Sequence, residues 1–204
     1  MNSCSPDELS RGVVDSAESP ASHFLRQSAV GLAAGLLGAF AMNVFARAVN
    51  SMSNGREADG AAPGDDRVGR GMQPPQAQGR ADHDAAVRVG TAAYRAITDR
   101  EPAPGVQPWL GAAAHYAFSV ATSVPYVFLA DRLPFIRVCF GTLYGTAVWA
   151  VADEGLMPAL GLSRGPRQLP PGVHAYALAG HLVYGATLEG VRRLSNGRLP
   201  GQTT

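Results

Sequence analysis

Residues 111–130 read GAAAHYAFSVATSVPYVFLA. The stretch holds no Asp, Glu, Lys or Arg. At 1.5 Å of rise per residue, a helix of this length covers about the 30 Å hydrocarbon core of a bilayer. His115 stands near its start, so a chain that places this helix in lipid must find a partner for an imidazole. An apolar run long enough to span, carrying a polar group that lipid cannot solvate, sets the expectation for the whole chain: an all-α polytopic membrane protein with a polar interior.

Three other stretches repeat the pattern. The first span is expected at 28–46, the second at 109–130, the third at 135–152 and the fourth at 173–188, giving a four-transmembrane-helix bundle. Trp109 opens the second span at interface level, and Asp131-Arg132-Leu133-Pro134 turns the chain back. In the third span Asp153-Glu154 interrupts an apolar run that continues to Leu162, so the helix either ends at Ala152 or carries two carboxyls into the membrane. The turn Gly165 to Gly172 precedes the fourth span, which Glu189 and Arg192-Arg193 close. An even number of spans puts both termini on one side, and the flanking arginines favour the cytoplasm.

Gly31, Gly35 and Gly38 lie at i, i+4, i+7 on the first span and form one bare stripe. In lipid such faces mark close helix contacts, here expected within the same chain. Asn43 and Arg47 finish the span, with Arg47 free to snorkel to the headgroups. The tail 1–27 and the end 195–204 are expected to be disordered. In the long connection, 51–81 is rich in Gly, Pro, Asp and Gln and is expected to be a flexible loop. In 82–100, Ala86, Val89, Ala93 and Ile97 recur at helical spacing, giving an amphipathic helix stopped by Pro102 that lies on the membrane or caps the bundle.

Global composition conceals this segmentation. The 204 residues are 46% hydrophobic and 16% charged, with net charge +1; all 17 basic residues are arginine. The near-neutral balance argues against a nucleic-acid partner. Two cysteines, Cys4 in the tail and Cys139 inside an apolar segment, make no disulfide framework and no structural metal site. Asp7, Glu8, Asp15 and Glu18 ahead of the first apolar run do not make a basic n-region, so an uncleaved first span is expected rather than a signal peptide.

Polar residues inside the spans fall into stripes. His115, Ser119, Thr122 and Tyr126 share a face of the second; Thr142, Thr146, Trp149 and Asp153 share a face of the third; His174 and His181 lie two turns apart on the fourth, with Glu189 at its end. The candidate buried polar cluster is therefore His115, Ser119, Thr146, Asp153, His174, His181 and Glu189, with His181 its pivot. Such a cluster can hold helices together, at about 0.6 kcal/mol per hydrogen bond in a membrane. It can also line a track for protons or a small solute. Haem ligation would need His115 at the depth of His174 or His181, and no cofactor is expected. No nucleophile motif, phosphate loop or metalloprotease signature supports an enzyme.

The second half also carries a resemblance. His115-Tyr-Ala-Phe-Ser119, then Pro158-Ala-Leu-Gly161-Leu162-Ser163, Leu169-Pro170, and Gly180-His181-Leu182-Val183-Tyr184 leading through Glu189 to Arg192-Arg193 resemble the YagU-like family of small bacterial inner-membrane proteins. The resemblance covers Trp109 to Arg193 and the first span by character only. It implies an inner-membrane location and a four-helix layout, singles out His115, His181 and Glu189, and brings no biochemical activity with it. The Gly/Pro-rich first connection and Asp153-Glu154 depart from it. The resulting expectation is a structural, envelope-stress or interaction protein in contact with the lipid bilayer, with a possible protein partner at 51–100. The alternative is a small proton- or solute-conducting transporter.

Overall fold

Ser19 starts the first helix in the way its side chain allows: its hydroxyl accepts the Ser22 amide at 3.1 Å, and Pro20 follows at the first helical position, where no amide is needed. The helix, α1 (Pro20–Gly60), continues well past Ala46 because no proline interrupts it. The computed structural model describes residues 19–60 and 76–197, with side chains described for 19–52 and 85–197. Of the tails expected to be disordered, residues 20–27 belong to α1 and Ser195 to the last helix, while 1–18 and 198–204 lie outside the described residues. Of the expected loop at 51–81, residues 51–60 belong to α1 and 76–81 to the next helix, while 61–75 lie outside the described residues.

Helix α2 (Gln76–Thr98) begins earlier than residue 82 and stops before Asp99, which takes a left-handed φ of 53° while its amide bonds to the Arg95 carbonyl. Its packed face differs from the expected one. Ile97 is 84% exposed, whereas Gly90 and Thr91 are buried. The reason is a crossing through small residues: Gly90 sits against Leu110, and Gly111 against Val87. Helix α3 (Gln107–Arg132) carries Pro108 in its first turn and ends at Leu133, ahead of Pro134.

The helix expected at 135–152 starts later, at Thr142. Pro134–Arg137 forms a 3₁₀ turn, and Cys139, Phe140 and Gly141 all take positive φ, at 53°, 58° and 80°. Cys139 is exposed in this turn and is not inside a helix. The helix proper, α4 (Thr142–Trp149), then runs through a π-helical stretch (Ala150–Leu156) into a last α turn (Met157–Ala159). It does not stop at Ala152, because Asp153 and Glu154 each find company on the facing helix. That helix is α5 (Pro171–Ser195), again begun by proline.

Among the described residues every regular element is helical. Among the described residues one stretch, Pro20–Met52, is long and apolar enough to cross a membrane, and only 28% of its apolar window is buried. An apolar core that includes Val127, Ala130, Ile136 and Leu188 is joined by buried polar side chains, while many large apolar side chains lie at the surface. Leu32, Leu36, Leu37, Phe40, Val138, Leu143, Val151 and Leu160 point outward, while the interior collects Ala34, Ala39, Ser119, Ser123, Tyr126, Tyr184, Glu189 and Arg192. Buried polar side chains beneath an exposed apolar surface are unusual for a protein facing water on all sides.

Small residues set the helix contacts. A Cβ on Gly31 would lie 2.8 Å from the Val124 Cα, one on Gly35 2.7 Å from the Val120 Cα, and one on Gly38 2.6 Å from the Tyr184 ring. The glycine stripe of α1 is thus seated on α3 and α5 of the same chain. Gly141 and Gly145 similarly admit the α5 backbone at Gly185 and His181.

Candidate functional site

The bundle is closed at one end and hollow at the other. At the closed end, Tyr184 donates to the Ser119 carbonyl at 2.6 Å and lies 2.8 Å from the Thr122 hydroxyl, while Tyr144 donates to the Thr122 carbonyl at 2.6 Å. The rings of Tyr126 and Tyr144 meet at 4.8 Å. Beyond this belt lies a charged lock. Glu189, fully buried, accepts from Tyr126 Oη at 2.8 Å, from Arg192 Nε at 2.8 Å and Nη2 at 3.0 Å, and from Arg193 Nε at 2.7 Å. Arg192 also reaches Asp131 at 3.2 Å, and Gln27 on α1 donates to the other Asp131 oxygen at 2.9 Å.

The lock ties α1, α3 and α5 together where they emerge. Burial alone would raise the Glu189 carboxyl, but the hydrogen bonds from Arg192, Arg193 and Tyr126 outweigh it and hold the group below the ordinary glutamate range. Arg193 in addition stacks over Phe140, 4.6 Å from the ring centre, which fastens the turn before α4 to the end of α5.

The hollow end holds a cavity of about 770 Å³. Its walls come from the second half of α1, the first half of α3, the π-helical stretch and the first half of α5, and Ala85, Ala86 and Val89 of α2 cover it from one side. Its polar lining includes Asn43, Arg47, Asn50, His115, Ser119, Thr122, Asp153, His181 and the tyrosines Tyr116, Tyr176 and Tyr184, set among apolar Met42, Phe45, Phe118, Val148 and Met157. The volume falls within the range of small-molecule sites, about 300–1,000 Å³. The tyrosine belt forms its floor, since Ser119, Thr122 and Tyr184 appear in both.

The seven residues expected to form one cluster therefore divide. His115, Ser119, His181 and Asp153 share the cavity, with His181 Nδ1 3.7 Å from Asp153 Oδ2 and donating instead to the Ala177 carbonyl at 2.9 Å. His174 stands apart at the start of α5, where Nδ1 meets Glu154 at 2.5 Å and Nε2 meets the Pro166 carbonyl at 3.0 Å. Glu189 belongs to the lock at the opposite end. Thr146 joins neither group, because its hydroxyl bonds back to the Thr142 carbonyl at 2.9 Å. Adjacent residues on a helix point in different directions, so Asp153 and Glu154 serve different partners; the stretch that carries them is π-helical, a form that recurs at functional sites.

Asn43, Arg47 and Asn50 were not expected in the site. Arg47, exposed on the later part of α1, lines the cavity. The three are spaced i, i+4, i+7, the same signal as the glycine stripe, and become legible once α1 is extended beyond Ala46. Asp131, Gln27 and Arg192 are joined only by the fold. Among the described residues, no group of three or more His, Cys, Asp or Glu is placed to hold a metal ion.

Residues 97–190 match the model of a family described as a protein of unknown function (DUF1440). The match takes in the cavity walls from α3, α4 and α5 and leaves out α1. No curated protein and no solved structure matches the chain.

Proposed function

We propose that this chain is a multi-pass membrane protein that holds a small polar solute in a blind cavity within its bundle. The observation that carries the reading is the 770 Å³ chamber itself, with Asp153, His115, His181 and Asn50 on its wall and a hydrogen-bonded tyrosine floor beneath. Packing alone needs no such volume: the same bundle excludes space at its other half, where glycines bring backbones together. A receptor or a carrier in one of its end states fits this geometry better than a scaffold, and better than an open channel, because the floor and the lock block a through path. Binding, not catalysis, is the role proposed.

The membrane part of the reading rests on helix lengths and on the large apolar side chains left at the surface. α3, residues 142–159 and α5 are each long enough for the hydrocarbon core, and their hydropathy is lowered by side chains that face the cavity or the floor. The bacterial inner-membrane setting with four spans rests on the YagU-like resemblance over Trp109 to Arg193; the family match at 97–190 overlaps that stretch and names no location. Cysteines placed at Gly105 and Asn196, in a chain with Ser at positions 4 and 139, are expected to react with an impermeant maleimide from opposite sides of the membrane. Labelling of both from one side would remove the four-span layout.

A cavity-filling variant tests the solute reading. A Cβ at Gly180 has Met42 Cε as its nearest neighbour at 3.6 Å, so Gly180→Leu projects into the chamber against a flexible side chain. The expected result is a melting temperature close to the wild type together with loss of solute-induced stabilisation across a broad panel of small polar compounds. A variant that keeps every response of the wild type would show that the chamber is not where solutes act.

A further inference from the structure

Resting on the solute-binding reading above, we infer that the cavity selects small carboxylates with an apolar body, the carboxylate held by Arg47 in its outer part and the body received by the aliphatic and aromatic wall. Two charged side chains in opposite condition point this way. Asp153, the one carboxylate on the lining, has an ion-pair partner in His181, whose Nδ1 lies 3.7 Å from its Oδ2. Arg47, the one guanidinium on the lining, is exposed and makes no hydrogen bond or ion pair with any described residue. The charge left for a ligand to satisfy is therefore positive.

A guanidinium presents its N–H donors as a planar fork that matches the two oxygens of a carboxylate, and such bidentate pairs are stronger than neutral hydrogen bonds. A second donor comes from α3. Asn43, one turn before Arg47 on the same face of α1, donates from Nδ2 to Tyr116 Oη at 3.4 Å, and both residues line the cavity. Because Tyr116 Oη accepts there, its own O–H is left for a ligand oxygen.

The two charged positions lie at different depths, which gives a bound solute a direction. Gly38 rests on the Tyr184 ring at the floor, and Met42 reaches Gly180, the neighbour of His181. Arg47 follows about 14 Å beyond Gly38 along α1, at 1.5 Å of rise per residue. Asp153 and His181 thus belong to the deeper part of the chamber and Arg47 to the outer part. Phe45, Phe118, Val148 and Met157 supply the apolar wall, with the Phe45 ring 5.7 Å from that of Tyr176. A carboxylate bound head-outward meets Arg47 and stays clear of Asp153, while its alkyl or aryl body covers these apolar side chains. The reversed pose would bring two carboxylates together and is disfavoured.

The test uses the full-length protein in phosphatidylcholine nanodiscs with benzoate, hexanoate, benzamide, hexanamide and benzylamine as probes, each measured by calorimetric titration and by shift of the unfolding temperature. Benzoate or hexanoate is expected to bind at least tenfold more tightly than its amide. Arg47→Gln is expected to remove that advantage while leaving amide binding and the melting temperature of the free protein unchanged. Arg47→Lys, which keeps the charge and loses the fork, is expected to fall between, and Tyr116→Phe to weaken carboxylate binding severalfold. Gly180→Leu is expected to abolish binding of acid and amide alike. Amides binding as tightly as their acids, benzylamine binding more tightly than benzoate, or carboxylate binding indifferent to Arg47→Gln would each overturn the carboxylate assignment while leaving the solute cavity standing. Carboxylate binding that survives Gly180→Leu would place the anion outside the chamber and overturn it as well. Stabilisation by phosphatidylglycerol, lost in Arg47→Gln and without any response to free carboxylates, would give Arg47 to a lipid headgroup and overturn it too. Absence of binding by all five probes likewise overturns the assignment, and the broad panel with Gly180→Leu then decides separately whether the cavity binds solutes at all.

Discussion

Glu189→Ala is expected to be the most damaging single substitution in this chain. It removes the acceptor shared by Tyr126, Arg192 and Arg193 and leaves Arg192, only 3% exposed, with Asp131 as its remaining carboxylate. Breaking a buried ion pair by deleting one member costs about 3–5 kcal/mol, because the surviving charge is stranded. The paired replacement Glu189→Leu with Arg192→Met should recover part of that loss, since it removes the buried guanidinium along with its partner and leaves only the Tyr126 hydroxyl buried without its acceptor. Thermal unfolding followed by circular dichroism checks both. A single variant as stable as the wild type would show that the lock is ornamental.

The same group makes an acid-side prediction. The folded-state pKa of Glu189 lies below its unfolded value, so its contribution to stability is complete above the ordinary glutamate range. That contribution is lost as pH falls through the lowered folded-state value. The paired variant should therefore be less sensitive to acid than the wild type, as read from melting temperatures between neutral pH and pH 4 or below.

Gly35→Leu is the second large expected effect. A Cβ there already meets Ser123 Oγ and lies 2.7 Å from the Val120 Cα and 2.9 Å from the Ser119 carbonyl, so nothing flexible can yield. Overpacking of this kind costs about 1–3 kcal/mol, and more where the obstacle is backbone. It would also push α1 off the floor of the cavity, because Ser119 takes part in both. Leu36→Ala is the control: Leu36 is exposed, and trimming it should change stability little. Equal melting temperatures and equal membrane levels for the two variants would dismiss the close-packed stripe.

What the sequence disclosed and what it withheld follow from the range of the forces involved. The glycine stripe, the polar face of α3 and the prominence of His181 are periodic features, and periodicity is local. The extension of α1 beyond Ala46 is not legible because hydropathy falls there and Asn50, Ser51, Ser53, Asn54 and Gly55 are weak helix formers, and the lipid boundary is not what ends a helix. The placement of α4 was missed because Cys139, Phe140 and Gly141 adopt left-handed backbone to bring Gly141 against Gly185, a contact between segments 44 residues apart in number. The expected seven-residue cluster scattered for a related reason. Shared azimuth on a helix places residues on one side, but depth along the axis decides whether they meet, and His174, His181 and Glu189 lie at three depths on α5.

The wide turns at Ala150–Leu156 give the helix a local gauge. Because each such turn holds one residue more than an α turn, a helix of this kind can gain or shed a residue without being severed. The depth and bearing of Asp153 within the chamber are consequently set by winding over a few residues, not by where the whole helix sits. Two chains with superimposable bundles could present this carboxylate differently after a single deletion near Val151, so that preference for a solute would drift faster among relatives than the architecture that surrounds it.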